Sequence, residues 1–218
     1  DDKIIKLRHP LSIDPEGQVI ASVLAKKASA GSRHVVIDLP VGENVKIKNK
    51  KEALRLAKKL VYVGEKIGLE VEAIITDGVN PSGPAFGPAL EAKHAMQILE
   101  GKLFDNLAQK SCELAGSIFE LSGHCRTGQG EAEAKEILKS GKALAKMREI
   151  IKAQGGKVTS STQIILSTLN KDIRAKTNGV ITAYNIKTLT KIARYSGAPA
   201  NHFAGVLLNK NIGDKVSK

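Results

Sequence analysis

The chain of 218 residues contains no tryptophan, and aromatic residues make up only 3% of it. Proteins that bind single-stranded nucleic acid without sequence preference stack the bases on aromatic side chains, so the composition disfavours that class. No apolar run approaches the roughly 20 residues that a membrane-spanning helix needs. We therefore expect a protein with neither a membrane nor a nucleic acid as its partner.

Cysteine is also scarce, since Cys112 and Cys125 are the only two. In a sequence without a secretory signal, such a pair predicts free thiols in a reducing compartment, and hence a cytoplasmic protein. His124 precedes Cys125, but no second pair of ligands follows at zinc spacing, so no metal site is predicted.

Positive charge, by contrast, is in excess, because 34 lysines and arginines against 22 acidic residues leave a net charge of +12. This balance favours anionic partners such as phosphates, nucleotides or nucleic acid. The lysines are spread along the chain without a run of five or six like charges. A solvated basic surface is therefore favoured over a DNA-binding patch.

The stretch HPLSIDPEGQVIASVLAKK, residues 9–27, is predicted to form an amphipathic helix, which Gly31 ends. Asp14 is expected to cap its first turn, and Pro15 to be its first residue. Polar residues recur every four positions and form one stripe beside an apolar face. The stripe consists of Asp14, Gln18, Ser22 and Lys26. From the residues alone it is either the solvated face of a capped helix or a set of groups that bind a nucleobase edge.

A β-branched run, His34–Pro40, and a second one, Val71–Thr76, flank a helical pattern that stops at Gly68. The order predicts a right-handed parallel βαβ unit with strands buried on both faces. Such sheets bind ligands beyond the carboxyl ends of their strands, where two glycine-containing loops follow. Lys46, in the first of these loops, is either a ligand to a phosphate group or a solvated lysine.

Four helices are predicted between residues 88 and 156, with Asp105 as the cap of the second. The other polar residues singled out here are predicted to be surface or capping residues. They are Glu91, His94, Glu113, Glu120 and Glu131. The expected fold class is α/β, with a parallel sheet and flanking helices over residues 1–157 and a small α+β domain over residues 158–218.

In that second domain a hairpin is predicted around a turn at Asn178–Gly179, followed by a short helix that stops at Gly197. This helix is followed by a last strand, a turn at Gly213–Asp214 and the start of another strand. The sheet would be left with an open edge, and the first residue is not methionine. We therefore expect the sequence to be a fragment truncated at both ends.

Four segments of the sequence together resemble the thymidine phosphorylase family. They are HPLSIDPEGQVIASVLAKK, the loop VGENVKI, the segment FGPALEA and the tail from NGVITAYN to NIGDKV. Within the family they are most similar to the archaeal branch of AMP phosphorylases, which form ribose 1,5-bisphosphate. The resemblance implies that residues 1–157 are part of the phosphorylase α/β domain and that residues 158–218 begin a C-terminal domain of barrel-sandwich type.

The resemblance further implies the phosphorolysis of nucleoside 5′-monophosphates, in which AMP and phosphate give adenine and ribose 1,5-bisphosphate. Asp14 matches the proton donor to the departing base, and Ser22 and Lys46 match nucleotide-binding positions. Arg8 and Lys26, with Ser22, fall where thymidine phosphorylases hold the pyrimidine ring. No cofactor is implied, since phosphate is a co-substrate, and the full protein is expected to be a homo-oligomer.

The family's glycine-rich phosphate site, of the KHSTGGxGDK kind, is not found in this sequence and is expected upstream of it. Because positioning of phosphate near C1′ is a large part of such catalysis, we expect these residues alone to turn over little substrate. Two alternatives stay open: a thymidine or pyrimidine nucleoside phosphorylase, and a non-catalytic module that binds nucleotides or nucleic acid.

Overall fold

The computed structural model describes residues 15–218 together with Lys3, Lys6 and Leu7. It divides into two compact units, the first made of the described residues up to Val79 with Leu114–Gly130, and the second of Asn80–Glu113 with Glu131–Lys218. Helices and strands are mixed, with a small parallel sheet, so the predicted α/β class is confirmed. The domain boundary predicted between residues 157 and 158 stays a prediction.

The first unit contains the βαβ arrangement that the sequence predicts. Its elements are α1 (Glu16–Ser29), β1 (His34–Val41), α2 (Lys50–Lys66) and β2 (Glu70–Asp77). The two strands pair in parallel, in a register that runs from His34 opposite Glu70 to Val41 opposite Asp77. Both helices stop before a glycine with positive φ, 76° at Gly31 and 79° at Gly68, as predicted.

The start of α1 differs from the prediction by one residue. Glu16 is its first helical residue, and Pro15 precedes it with an extended backbone, φ −62° and ψ 128°. The expectation that Pro15 would be the first residue of the helix is therefore wrong, because Pro15 is the N-cap, whose carbonyl accepts from the Val19 N–H at 3.1 Å. Asp14, the predicted cap, lies outside the described residues.

The core of this unit lies on one face of the sheet, against both helices. It is formed by Ile20, Leu24, Val35, Leu39, Ile47, Ala53, Leu60, Leu69 and Val71. Along β1 the odd-numbered residues Val35 and Leu39 are buried, whereas Val36 and Asp38 on the opposite face are only half-buried. The prediction that the strands are buried on both faces is therefore wrong, because α1 and α2 contribute to the same core.

The helices predicted between residues 88 and 156 are confirmed. The elements from residue 80 onward are β3 (Ala85–Phe86), α3 (Pro88–Leu99), α4 (Asn106–Leu121), α5 (Gly130–Lys139), α6 (Lys142–Ala153), a 3₁₀ turn (Ser161–Gln163), β4 (Gly179–Val180), α7 (Ile186–Tyr195), β5 (Val206–Leu207) and β6 (Lys215–Val216). The predicted cap of α4 is present, since Asp105 Oδ1 accepts hydrogen bonds from the N–H groups of Leu107 and Ala108 at 3.0 and 3.1 Å. No helix in the described part of the chain is long and apolar enough to cross a membrane.

The strands of the second unit pair over long sequence distances. β3 pairs antiparallel with β5, and β4 pairs antiparallel with β6, with Gly179 opposite Val216. The hairpin predicted around Asn178–Gly179 is therefore wrong. Gly179 belongs to a strand and lacks the positive φ that such a turn requires, because its partner comes from the end of the chain rather than from the preceding residues.

Candidate functional site

The loops that follow β1 and β2 contact each other through their backbones. A Cβ atom on Gly42 would lie 2.8 Å from the carbonyl carbon of Gly78, and one on Gly78 would lie 2.9 Å from Cγ2 of Val45. The Gly78 N–H donates to the carbonyl of Val41 at 2.9 Å. Glycine at both positions therefore lets the two loops meet at the carboxyl end of the sheet, where ligands of parallel sheets bind.

Lys46 lies in the first of these loops with an exposed side chain. The next residue, Ile47, is buried in the core, forms a parallel bridge with Val41, and accepts a hydrogen bond from the Gly42 N–H at 3.0 Å. Lys48 donates from Nζ to the carbonyl of Glu43 at 2.9 Å and to that of Val45 at 2.5 Å. The loop that carries Lys46 is thus held by contacts on both sides of it.

Ser22 and Lys26 lie one turn apart on α1, as the stripe requires. At 100° per residue, Ser22 is about 160° around the helix from the buried residues Ile20 and Leu24. The predicted stripe therefore faces away from the core, with the Ser22 side chain half-buried and that of Lys26 exposed. A ligand-binding face and a solvated helix face would both point away from the core, so this direction does not distinguish the two interpretations.

An ion-pair cluster fixes the start of α1 on α2. The Glu16 carboxylate binds the guanidinium of Arg55 at 2.8 Å and also binds the ammonium of Lys59. The hydrogen bond from Lys59 is the main cause that lowers the pKa of Glu16 below its usual value, and the charge of Arg55 adds to it. Because these contacts lie at the first residue of α1, they orient the end of the helix next to Asp14.

On the half-buried face of the sheet, the Thr76 hydroxyl donates to Asp38 Oδ1 at 2.5 Å. At the end of β2, Asp77 Oδ1 accepts from the Val79 N–H at 2.8 Å and closes a tight turn into the second loop. The first contact joins the two strands near their carboxyl ends, and the second shapes the turn that follows β2. They stiffen the edge from which both loops leave.

Of the five predicted site residues, three are described and two are not. Ser22 and Lys26 share one helix, and Lys46 lies in the loop after β1. Asp14 and Arg8 lie outside the described residues. The roles assigned to all five stay predictions. Residues 15–218 with Lys3, Lys6 and Leu7 contain no group of three His, Cys, Asp or Glu that could hold a metal ion.

Side-chain contacts that were not predicted hold the Lys46 loop. Asn49 Oδ1 accepts from the Glu52 N–H at 2.9 Å, and Glu52 Oε2 accepts from the Lys48 N–H at 3.1 Å. The Asn-x-x-Glu spacing is a helix-start signal that was available in the sequence. The contacts of the Lys48 ammonium had no such signal, because the turn that brings two carbonyls to it exists only in the folded loop.

In the second unit, two polar clusters contain a buried side chain, and one of these is His94, which was predicted to be a surface or capping residue. His94 is buried and its Nε2 lies 2.7 Å from Asp105 Oδ2, so the prediction of a surface or capping role for His94 is wrong. The buried carboxylate of Glu100 contacts Lys102 at 2.7 Å and accepts from the N–H and hydroxyl of Ser161. These hydrogen bonds, that from Lys102 foremost, lower the pKa of Glu100 to about 2. Both clusters hold elements of the unit together.

Comparison with known proteins gives a consistent result over the whole chain. No protein-family model matches it. It is 46% identical over 220 aligned residues to the AMP phosphorylase of Methanococcus aeolicus, 44% to that of Methanococcus maripaludis, and 43% to that of Methanosarcina mazei. Each alignment covers 100% of this chain but only 43–44% of the relative, so the chain spans less than half the length of these proteins. Over all of its 218 residues, the chain is therefore homologous to the AMP phosphorylases.

Proposed function

We propose that the natural protein that carries this sequence phosphorolyses nucleoside 5′-monophosphates, converting AMP and phosphate to adenine and ribose 1,5-bisphosphate. The observation that carries the proposal is the 46% identity, over the whole chain, to a protein named AMP phosphorylase. The location of Lys46 at the carboxyl end of a parallel sheet supports it, since that is where such sheets bind ligands.

The chemistry requires a proton donor at the base. A phosphate oxygen forms a bond to C1′ as the bond from C1′ to the base nitrogen breaks, and the electron pair of that bond passes to the base. A purine leaves readily only when a ring nitrogen is protonated as the bond breaks. In the proposal the Asp14 carboxyl group supplies this proton, and the departing base is neutral.

The other predicted residues bind the nucleotide. Ser22, one turn before Lys26 on the outward face of α1, is proposed to donate its hydroxyl hydrogen to the nucleotide. Lys46 is proposed to contact the 5′-phosphate with its ammonium group, a compact charge that suits phosphate. Arg8 and Lys26 are proposed to line the base. In this arrangement the nucleotide contacts come from α1 with the residues that precede it, and from the loop after β1.

The remaining expectations belong to the full protein. We propose that it is a cytoplasmic homo-oligomer that needs no cofactor beyond the phosphate it consumes. We also propose that residues 1–157 belong to a phosphorylase α/β domain and residues 158–218 to a C-terminal domain of barrel-sandwich type. All of these proposals follow from the resemblance and from the named relatives.

The test is phosphate-dependent release of base by the full natural protein. We expect adenine and ribose 1,5-bisphosphate from AMP, and little reaction with thymidine, which carries no 5′-phosphate. The Asp14→Asn variant should lose about 10²- to 10⁴-fold in turnover, the usual contribution of general acid catalysis. Asn matches Asp in size and lacks only the ionisable group, and α1 begins at Glu16 after the N-cap Pro15, so the fold should be unchanged. Equal turnover of AMP by this variant, or faster reaction with thymidine, would refute the proposal.

A further inference from the structure

We propose that Lys48 is a positioning residue that holds the loop of residues 42–47 in shape and thereby places the Lys46 ammonium for the nucleotide. The role of Lys46 in this statement rests on the proposed function. The role of Lys48 rests on contacts within the first unit, which are described next.

The Lys48 ammonium joins two carbonyl groups of the same turn. Its Nζ donates to the carbonyl of Glu43 at 2.9 Å and to that of Val45 at 2.5 Å. An ammonium has three donors and no acceptor, and hydrogen bonds from a charged donor are stronger than neutral ones. One cation therefore ties the carbonyl of the residue that directly precedes Lys46 to an earlier point of the loop.

On the other side of Lys46 the backbone is fixed by burial. Ile47 is only 8% exposed, and its carbonyl accepts the Gly42 N–H at 3.0 Å. The Lys48 N–H donates to Glu52 in the first turn of α2 at 3.1 Å. The backbone around Lys46 is therefore held on both sides. At Val45 the N–H makes a long hydrogen bond of 3.4 Å to the Gly42 carbonyl, and the carbonyl is held by the charged side chain of Lys48.

The hydrogen bond from the Lys48 ammonium to the Val45 carbonyl also affects the contact between the two loops. Cγ2 of Val45 lies 2.9 Å from where a Cβ atom on Gly78 would be, so Val45 packs against the loop that follows β2. Release of the Val45 carbonyl would let this contact relax together with the Lys46 backbone. The Lys48 side chain is itself exposed, and burial of its methylene groups does not explain why it folds back onto the loop.

The positive charge of Lys48 does not by itself support a positioning role, because neighbouring lysines carry the same charge. Lys51 is exposed in the first turn of α2, where a cation faces the positive end of the helix dipole. Any effect of charge on the attraction of an anionic nucleotide should therefore be shared by Lys48 and Lys51. Lys51 provides the matched control.

The experiment compares Lys48→Met, Lys48→Arg and Lys51→Met in the full natural protein, with AMP varied at saturating phosphate. We expect Lys48→Met to raise KM for AMP by between about 10- and 100-fold, the range that misplacement of a binding group by about 1 Å can cost. Lys48→Arg should recover part of this loss. Lys51→Met should change KM less than about 2-fold, with an effect that disappears at high salt. Equal effects of the Lys48→Met and Lys51→Met substitutions would overturn the proposal.

A double-mutant cycle shows whether Lys48 acts through Lys46. In a Lys46→Met background, Lys48→Met should change KM less than about 2-fold further, because the group that it positions is already absent. The same fold-change in both backgrounds would overturn the proposal, since it would mean that Lys48 contributes independently of Lys46.

A readout without turnover separates this proposal from the proposed function. Amide hydrogen exchange of Val45, whose N–H donates to the Gly42 carbonyl and whose carbonyl accepts from Lys48, should be at least 10-fold faster in Lys48→Met than in Lys51→Met. Unchanged exchange would overturn the positioning role whatever the protein's activity. If the full protein failed to phosphorolyse AMP, the proposed function would fall, and the exchange rates alone would decide the role of Lys48.

Discussion

Gly42 lies against Gly78 so closely that a Cβ atom on Gly42 would stand 2.8 Å from the Gly78 carbonyl carbon. Backbone atoms cannot move aside as a flexible side chain can. We therefore expect Gly42→Ala to lower the free energy of unfolding by about 1–3 kcal/mol, the usual cost of overpacking. Urea unfolding of the variant and the parent protein measures the difference.

The matched control for that prediction is Gly17→Ala on α1. A Cβ atom on Gly17 would meet nothing within 4 Å, and alanine favours a helix over glycine by up to about 1 kcal/mol. This substitution should leave the protein as stable or make it more stable. A similar loss at both positions would show that the contact between the loops is not the cause.

Glu16→Gln should lower the thermal midpoint at neutral pH, because it removes the charge that binds Arg55 and Lys59. The pKa of Glu16 is lowered in the folded protein, so its contribution is present above the unfolded pKa and is lost as the pH falls through the folded pKa. The difference between variant and parent should shrink in acid and in high salt. Glu149→Gln, which breaks an exposed pair with Lys146 within one helix, should have a smaller effect, and an equal one would contradict the prediction.

Glu100→Gln is expected to weaken the attachment of the 3₁₀ turn Ser161–Gln163 to α3. The folded pKa of Glu100 is about 2, against an ordinary value of 4.5. Its stabilising contribution is therefore complete above about pH 5 and is lost between pH 4.5 and 2. Thermal midpoints measured across this range should converge for variant and parent in acid.

The control for Glu100 is Glu136→Gln, because Glu136 is exposed and lies 4.0 Å from Lys139. The thermal midpoint of the Glu136→Gln variant should match that of the parent protein at every pH. A Glu100→Gln difference that stayed constant down to pH 2 would mean that the carboxylate charge is not what holds the turn.

Asp105→Ala should lower the free energy of unfolding by more than the loss of a helix cap alone would. One carboxylate oxygen caps α4 and the other lies 2.7 Å from Nε2 of the buried His94. The cap alone is worth about 0.5–2 kcal/mol, and an unpaired buried polar group costs about 1–3 kcal/mol. Asn185→Ala removes only the cap of α7 and should lower the free energy of unfolding by less. Asp105→Asn should also lower it by less than Asp105→Ala does. Urea unfolding ranks the three variants, and a different order would contradict the prediction.

Much of the fold was predictable because its signals are local. The helical period of α2, the glycines at positions 31, 68 and 197, and the capping Asp105 each act within one or two turns of the chain. The parallel pairing of β1 and β2 followed as well, because a helix of this length between two buried runs leaves few other topologies. For the site, the sequence singled out Lys46, Ser22 and Lys26, and the structure places them on one loop and one helix face.

The pairing of β3 with β5 and of β4 with β6 was decided only by the tertiary structure. Two-residue strands carry almost no periodicity, and a local turn signal at Asn178–Gly179 competes with a partner that arrives from residue 216. The contact of Gly42 with Gly78 and the turn held by Lys48 were likewise decided only by the tertiary structure. Both depend on backbone atoms that no residue type identifies. Gly42 and Gly78 meet only when the two strands have aligned in register, and the carbonyls that Lys48 binds come together only in the folded loop.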